Sequence, residues 1–479
     1  MYCGMLFSSP PSGMLNKDYA SFPGVSPSST EYRLYRWRWL IMVALLLLNV
    51  SSGMMFITYS PIPNDTALFY GVPESYVNGF SITYSATTFF IGLISIMILD
   101  TCGLKISLYF GATCNLIGGV IRWISTISPV LCSHDYQRSG YMVAMIASIL
   151  LVWSQGEGHF CTSITSIGNP VGIAIAYLLS PHIVESNGLP TLLWIYVIPA
   201  AVAFLLTIIA FRKSKPDTPP APSANVEEDS VLCFFHGLRQ ILGSCSFWGL
   251  MLVWGIGAGL FNAMITILPQ MLCSYGYSDV SLWVTLMIFS GVAGATIVSF
   301  TLDYTKKYKE VGVVCLGLSV LCFIWFSQVS RLYDQSVNVV ISLCVFGFFA
   351  LPLVPVCMEL GVEITYPVGE ATSSGLLWSS VQVFAVVFIA LSTAFESPLS
   401  QELISNSKCS HAQVQNALYC NTSIFDIIED TPQDMTNVVY CVDTHQNHPD
   451  FAVKLSWTTF PRTVALGKLV LWTAPKPYG

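Results

Sequence analysis

The sequence predicts an all-α, polytopic membrane protein, and three observations lead to that prediction. Hydrophobic residues make up 53% of the 479-residue chain and charged residues only 10%, whereas about 25% of a soluble domain is charged. The mean hydropathy is +0.63. The apolar residues also form long blocks, each near the roughly 20 residues that a helix needs to cross a bilayer. The net charge of −7 is spread over loops and the C-terminal tail, so it does not indicate a nucleic-acid partner.

The apolar blocks are separated by segments rich in charge, Pro or Gly, and they predict eleven membrane spans. In chain order the predicted spans are 39–60, 77–99, 105–127, 141–160, 162–181, 190–211, 246–270, 281–302, 311–329, 336–360 and 371–395.

The placement of basic residues gives these spans a direction. With a cytosolic N-terminus, the inner side carries Arg33, Arg36, Arg38, Lys105, Arg212, Lys213, Lys215, Arg239, Lys306, Lys307 and Lys309, and the outer loops before the last span carry Arg138 and Arg331. This is the positive-inside bias of helical membrane proteins. The N-glycosylation sequons at Asn64 and Asn421 both fall outside,. We therefore expect a multi-pass protein of the plasma membrane, with the endolysosomal membrane as an alternative.

A polar linker divides the chain into two similar halves. The predicted organisation is a disordered cytosolic N-terminus (1–32), a six-helix lobe (33–211), a cytoplasmic linker (212–245), a five-helix lobe (246–396) and an outward-facing tail (397–479). Leu99-Asp100 followed by Lys105 in the first half recurs as Leu302-Asp303 followed by Lys306 in the second. Two repeated helical lobes around a central cytoplasmic loop describe the major facilitator fold, which binds its substrate between the lobes.

Short motifs make this resemblance more specific. They are Tyr35-Arg36-Trp37-Arg38-Trp39-Leu40, Thr58-Tyr59-Ser60-Pro61-Ile62, Gly168-Asn169-Pro170-Val171-Gly172, Leu179-Ser180-Pro181 and the run 359–377. With them the chain resembles the feline leukaemia virus subgroup C receptor-related family (solute carrier family 49), and within it the orphan major facilitator domain-containing branch. The resemblance covers residues 33–395 and implies a haem or choline transporter.

The chain departs from that family in two places. Residues 142–172 leave room for only two short helices, because two full spans need about forty residues, so we predict a curtailed helix four. After residue 395 the best apolar segment is 451–473, which contains Lys454, Pro461, Arg462 and Lys468. We therefore predict that the twelfth span is missing. An alternative transcript or an imperfect gene model would explain both departures equally well.

Polar side chains in mid-span are costly, and the sequence leaves two interpretations open: a substrate contact or an interhelical hydrogen bond. These residues are Asn49, Asn115, Asn169, Asn262, Gln270 and Gln382. The resemblance favours Gln382 as a substrate contact, because members of the family carry a glutamine at this position. It adds Phe56 and the pair Phe261-Asn262, which stand where choline-transporting relatives carry a tryptophan and a tyrosine pair. Since Phe is a poorer cation–π face than Trp, a choline cage would be weakened. The candidate substrate-binding residues are Phe56, Tyr59, Asn169, Phe261, Asn262, Gln270 and Gln382.

Charged residues lie at span ends. Arg122 is the one cation within a predicted span, near its outer end, and we expect it to snorkel to the surface. No acid lies in mid-span, which favours facilitated diffusion over a proton relay. Charged residues at the inner ends of the spans form a candidate gate. They are Asp100, Lys105, Asp303, Lys306, Lys309, Glu359, Glu363 and Glu370. Salt bridges among them would close the inner side, although they would serve equally to fix helix ends.

Together these features predict a monomeric transporter of a small organic solute, choline/ethanolamine-like or haem by resemblance. No nucleophile–base or metal constellation indicates an enzyme, and we expect neither a cofactor nor a metal. Cys409, Cys420 and Cys441 in the outer tail allow one disulfide,. The alternative is a non-transporting receptor or scaffold, or an inactive truncated isoform. Saturable uptake of a solute would separate the two.

Overall fold

The structure is a computed structural model that describes residues 38–102, 104–127, 134–158, 163–210, 237–273, 275–277, 279–305, 307–332, 334–366, 368, 370–395, 397–398 and 433–434. The expectations for the N-terminus, for most of the linker, and for Asn421 and the three tail cysteines lie outside these residues.

The described chain is almost entirely helical, as predicted. Its helices are α1 (Arg38–Ile57), α2 (Pro63–Tyr70), α3 (Glu74–Cys102), α4 (Leu104–Ile124), α5 (His134–Gly158), α6 (Ser163–Ala210), α7 (237–242), α8 (Cys245–Cys273), α9 (Val280–Thr305), α10 (Tyr308–Val329), α11 (Ser336–Ala350), α12 (Leu353–Thr365) and α13 (Glu370–Ala394). Two-residue strands, β1 (Ser397–Pro398) and β2 (Gln433–Asp434), pair antiparallel.

The long helix α6 is two membrane crossings joined by a sharp turn. Gly188 has φ 78° and ψ 170°, a conformation that glycine adopts without a steric penalty. The chain turns back at Gly188, so that residues 163–187 (α6a) lie beside residues 189–210 (α6b). A hydrogen bond of 2.8 Å between the Ser180 and Tyr196 hydroxyls shows that the two segments are in contact. The predicted spans five and six are therefore separate crossings.

A proline interrupts another crossing. Residues 336–365 count as one apolar stretch long enough to span a bilayer, but they form two helices, α11 and α12. The break comes at Leu351 and Pro352, because proline lacks the N–H that would continue the helical ladder. Among the described residues, eight helices are long and apolar enough to cross a membrane. The total of eleven spans remains a prediction.

Helix four differs from the expected short helix. α5 has 25 residues, a full crossing length, because the polar residues 134–140 extend the helix ahead of the apolar run. Where its side chains are described, the apolar segment of α5 is Gln137–Val152. The short stretch of sequence at 142–172 therefore does not shorten this helix.

The helices pack as two lobes. In the first lobe, α6 packs on both α1 and α4, and α5 packs on both α3 and α4. In the second lobe, α8 packs on α13, and α11 packs on both α9 and α10. The lobes meet where α3 packs on α13 and α6 packs on α9.

Glycines bring α1 and α6a into backbone contact. A Cβ on Gly53 would collide with the carbonyl oxygen of Asn169, and a Cβ on Gly172 would collide with that of Val50. Small residues at such sites let membrane helices approach closely. The contact fixes the position of Asn169, which lies beside Gly53.

We predict that Gly172→Ala destabilises the protein, because the methyl group must push the two backbones apart. Overpacking of this kind typically costs about 1–3 kcal/mol, which would appear as a lower melting temperature of the purified protein in nanodiscs. Gly317→Ala on α10 is the matched control, since nothing lies within 4 Å of a Cβ there. Equal melting temperatures for the two variants would contradict the close approach.

Candidate substrate cavity

The described residues enclose a cavity of about 150 Å³ inside the second lobe. It lies between α8, α10, α11 and α12, with Trp378 of α13 in its wall, and it reaches α6a of the first lobe. Its wall contains Asn169, Pro170, Ile173, Leu250, Val253, Trp254, Gly257, Leu260, Phe261, Asn262, Met264, Ile288, Gly312, Leu316, Ser319, Val320, Phe323, Phe346, Ala350, Leu351, Leu353, Val354, Val356, Cys357, Leu360 and Trp378. Among the residues that the structure describes, no charged side chain lines it.

Aromatic rings form much of this wall. The ring centroids of Phe261 and Phe346 are 5.9 Å apart, and those of Phe323 and Phe346 are 5.7 Å apart. Nearer the linker, the indoles of Trp254 and Trp378 lie 6.4 Å apart. Such faces attract quaternary ammonium groups and apolar chains. The cavity is therefore suited to an apolar or cationic ligand rather than to an anion.

Two buried donors in the wall have no acceptor. The side chains of Asn169 and Trp254 are each about 5% exposed. Neither Asn169 Nδ2 nor Trp254 Nε1 has a hydrogen-bond partner among the described residues. A buried polar group without a partner costs about 1–3 kcal/mol. Both nitrogens are themselves buried, although other atoms of the two residues line the cavity.

The structure separates the sequence-predicted site residues into groups. Asn169, Phe261 and Asn262 line the cavity together. Gln382 is buried on α13, four residues after Trp378 and therefore on the same helix face. Gln382 lies outside the cavity wall itself.

Phe56 and Tyr59 belong instead to an aromatic cluster in the first lobe. The Phe56 ring lies 5.0 Å from that of Tyr84, and the Tyr59 ring lies 4.3 Å from that of Phe80. Both side chains are buried, at 6% and 3% exposure, and neither lines the cavity. In this state of the protein they pack the core around the end of α1.

Arg122 does not snorkel, contrary to the expectation from its position. It is 1% exposed and its guanidinium donates hydrogen bonds to the Met55 carbonyl, to Thr58 Oγ1 (3.3 Å) and to Ser148 Oγ (2.7 Å). Its Cζ also lies 4.9 Å from the centre of the Tyr59 ring. Because α1 ends at Ile57, the Met55 carbonyl belongs to its last turn, where the helix dipole favours a cation. Arg122 therefore holds the end of α1 against α4 and α5.

Gln270 joins the two lobes. On the side of the molecule opposite the linker, Asn78 Nδ2 of α3 donates to Gln270 Oε1 of α8 at 3.1 Å and lies 3.4 Å from Thr393 Oγ1 of α13. We call these three residues the far-side clasp. Nearby, the Tyr177 hydroxyl donates to the Ile265 carbonyl, and Thr285 Oγ1 donates to the Ala174 carbonyl at 3.3 Å. The lobes are thus held together on this side.

The predicted gate on the linker side can be followed only in part. Glu359 and Glu363 are exposed and form no ion pair with a described residue, whereas Lys307 and Glu310 pair at 3.2 Å on the surface. Lys105 lies 5.8 Å from the Tyr109 ring centre, and Lys309 is partly exposed. Lys306 and the side chains of Asp100, Asp303 and Glu370 lie outside the described part of the chain. The gate remains a prediction.

Sequence reasoning missed the two tryptophans of the cavity and the burial of Arg122. Trp254 and Trp378 sit in ordinary apolar spans, and a tryptophan there is more often lipid-facing or core than ligand-binding. Nothing in the sequence shows that they lie side by side. The depth of Arg122 depends on where α1 ends, which the hydropathy pattern put at residue 60 instead of residue 57.

Comparison with known proteins assigns the fold to a family. A model described as the Major Facilitator Superfamily matches residues 44–390. Solute carrier family 49 member A3 of Danio rerio is 34% identical over 78% of this chain and 81% of its own length. The chain belongs to solute carrier family 49 of the major facilitator superfamily. Solute carrier family 49 member A3 of Xenopus tropicalis is 32% identical to this chain over 77% of this chain and 80% of its own length.

Other similar proteins widen the comparison. A choline/ethanolamine transporter of Felis catus is 29% identical over 76% of this chain and 69% of its own length. Among solved structures, a D-xylose–proton symporter aligns with a TM-score of 0.59 at 12% identity, covering 92% of this chain and 98% of the symporter. At that identity the likeness concerns the fold alone. The family and the fold together identify a multi-pass membrane protein built as a transporter.

We predict that Arg122→Met destabilises the first lobe, because the Met55 carbonyl and the Ser148 hydroxyl lose a buried donor. Losing a buried hydrogen-bond network typically costs about 2–4 kcal/mol. Ser148→Ala, which removes one of these bonds, should cost about 1 kcal/mol. Melting temperatures of the purified variants measure both. If Arg122→Met had the same melting temperature as the wild type, the guanidinium would not be holding α1.

We also predict that stability rises on mild acidification because of Asp65 on α2. Burial raises the pKa of its carboxyl, and the nearby charge of Glu185 raises it further. The ionised form is therefore disfavoured in the fold. This penalty is complete above the raised pKa, shrinks as the pH falls through it, and vanishes below the ordinary pKa of about 3.9.

The measurement is a series of melting temperatures between neutral pH and about pH 4. Asp65→Asn should be more stable than the wild type at neutral pH and should lose part of the rise on acidification. Glu185→Gln should weaken the rise without abolishing it. An unchanged pH profile in Asp65→Asn would show that Asp65 carries no such penalty.

Proposed function

We propose that this protein is an alternating-access uniporter for a small organic solute of the choline/ethanolamine type. The observation that carries the proposal is the cavity, whose wall combines neighbouring aromatic rings with the polar residues Asn169 and Trp254 and, among the described residues, has no charge. The cavity lies in the second lobe, and its contact with Asn169, Pro170 and Ile173 of α6a supports a substrate site that extends to the boundary between the lobes, where this fold binds substrate.

The chemistry of the wall supports a solute with a cationic head and an oxygen. A quaternary or primary ammonium is attracted to the faces of Phe261, Phe346 and Trp254 by about 0.5–2 kcal/mol each. A hydroxyl oxygen would accept from the Asn169 amide or the Trp254 indole. Haem fits the wall less well, since the described part of the wall offers no histidine for its iron and no cation for its propionates. The choline/ethanolamine transporter of Felis catus, a relative of this chain, supports the same class of solute.

Alternating access is supported by the asymmetry between the two ends. The far-side clasp joins the lobes by hydrogen bonds, while the cavity wall extends towards the linker as far as Leu250, Gly312 and Leu360. With no acid in the wall, we infer transport down a gradient without a proton relay. In the opposite state the clasp would open, and the predicted gate on the linker side would close.

The charge distribution and one cysteine support the proposed orientation. With the linker in the cytosol, the positive-inside bias is satisfied and the end of α8 lies outside. Cys273 at that end is disulfide-bonded, which an oxidising compartment favours. We propose a monomer in the plasma membrane, with a cytosolic N-terminus.

The test is uptake of radiolabelled choline into proteoliposomes that contain the full-length protein. We expect saturable uptake that ethanolamine inhibits and haem does not. Phe261→Ala should raise the KM for choline by roughly five- to thirtyfold, which corresponds to a loss of about 1–2 kcal/mol of cation–π attraction. Gln382→Ala and Asn169→Ala should also impair uptake.

Phe289→Ala on α9 is the matched control, because its ring is 47% exposed on the outer face of the lobe and does not line the cavity. Its KM should equal that of the wild type. If neither choline nor ethanolamine showed saturable flux, the result would contradict the transport proposal and favour a receptor or scaffold. An equal KM for Phe261→Ala would move the substrate site away from this cavity.

A further inference from the structure

A proline inside α8 leaves one backbone carbonyl without its usual partner. Pro269 lies within this helix and has no N–H group, so it cannot donate to the carbonyl of Ile265, four residues earlier. Ile265 is fully buried and lies in the membrane-spanning part of α8, where lipid cannot replace a missing donor. The Ile265 carbonyl therefore needs a donor from another helix.

Tyr177 of the other lobe supplies that donor. It lies on α6a, its side chain is fully buried, and its hydroxyl donates to the Ile265 carbonyl. A buried tyrosine hydroxyl also needs a partner, so each group satisfies the other. Because α6a belongs to the first lobe and α8 to the second, this bond exists only while the two lobes are together.

The bond lies between the cavity and the far-side clasp. Ile173, one helix turn before Tyr177, and Met264, directly before Ile265, both line the cavity. Gln270, the clasp residue of α8, comes five residues after Ile265, which is about 7.5 Å further along the helix. Along both helices, the bond thus stands on the far side of the cavity wall.

We propose that the hydrogen bond between Tyr177 and Ile265, which we call the latch, holds the cavity closed towards the far side and is the gate that must open for a solute to pass there. Opening leaves the Ile265 carbonyl without a donor, because Pro269 offers none within the helix. Pro269 thus makes the closed state depend on a hydroxyl of the other lobe. This inference rests on the proposed transport by alternating access and adds a gate to it.

A second bond between the lobes shows why the proline matters. Thr285 Oγ1 of α9 donates to the Ala174 carbonyl at 3.3 Å and to the Ser281 carbonyl of its own helix at 2.9 Å. Residue 178, four after Ala174, is a leucine, whose N–H can donate to the Ala174 carbonyl within α6a. When the lobes separate, Thr285 and Ala174 both keep a partner. The latch is therefore the more costly of the two bonds to open.

The experiment measures how often the far side opens, with Asn262→Cys as the reporter. Asn262 lines the cavity, three residues before Ile265, and is partly exposed. The full-length protein in sealed membrane vesicles is treated with a membrane-impermeant methanethiosulfonate, which is applied to each face of the membrane in turn. Mass spectrometry quantifies the modification of residue 262. The rate of modification from one face is proportional to the fraction of time for which the cavity is open to that face.

We expect Tyr177→Phe to raise the rate from the far side by roughly three- to thirtyfold, because the closed state loses its hydrogen bond. Tyr196→Phe is the matched control. The Tyr196 side chain is equally buried, and its hydroxyl bonds to Ser180 at 2.8 Å within the first lobe. Its loss should therefore leave the rate unchanged.

Pro269→Ala tests the role of the carbonyl. It restores an N–H group that donates to Ile265 within α8 in both states, so it should raise the rate from the far side. Adding Tyr177→Phe to Pro269→Ala should raise the rate little further. Two results would overturn the latch: equal rates for Tyr177→Phe and Tyr196→Phe, or an effect of Tyr177→Phe that is equally large with and without Pro269→Ala.

Modification of residue 262 does not require transport, so the latch and the transport proposal fail separately. A rise in rate that is specific to Tyr177→Phe, without choline uptake, would contradict the proposed solute and keep the latch. Choline uptake together with equal rates for Tyr177→Phe and Tyr196→Phe would contradict the latch and keep the solute.

Discussion

The hydrogen bonding of Arg122 at the end of α1 is the interaction on which the first lobe depends. A bilayer offers no water to unpaired backbone carbonyls, so a helix that ends within it needs side-chain partners. Arg122 supplies them to Met55 and ties α1 to α4 and α5 at once. With α1 held in place, its face towards α6a carries Gly53, and the close backbone contact there positions Asn169 at the cavity.

The described helices of the second lobe pack against one another less closely than those of the first. In the second lobe α8 and α13 meet closely, since a Cβ on Gly259 would press on Phe384, but α8, α10 and α11 leave an apolar space between them. In a soluble protein such a space would collapse or fill with another helix. Among the described residues, the cavity lies in the second lobe because of this space.

Polar residues of the spans serve two purposes, and their sequence context does not tell these apart. Asn115 donates to Ser51 Oγ at 2.9 Å and Gln270 accepts from Asn78, so both are interhelical contacts. Asn169 is a similar residue in a similar span, yet its amide nitrogen has no partner and it lies at the cavity. The outcome depends on which helix face meets a neighbour, and that is a property of the packed lobes.

By itself, the sequence determined the class of the protein, the approximate bounds of the described spans and the family, while the direction of the spans stays a prediction. It did so because bilayer thickness and the cost of burying charge act on each segment separately. It also named Asn169 and Asn262 as polar residues in mid-span, and the pair Phe261-Asn262 through resemblance. Only the tertiary structure decided that Arg122 is buried, that Phe56 and Tyr59 pack away from the cavity, and that Trp254 and Trp378 stand together in its wall. Those facts depend on where α1 ends, how α6 folds back at Gly188, and which helices lie beside α8, and no local pattern encodes such long-range contacts.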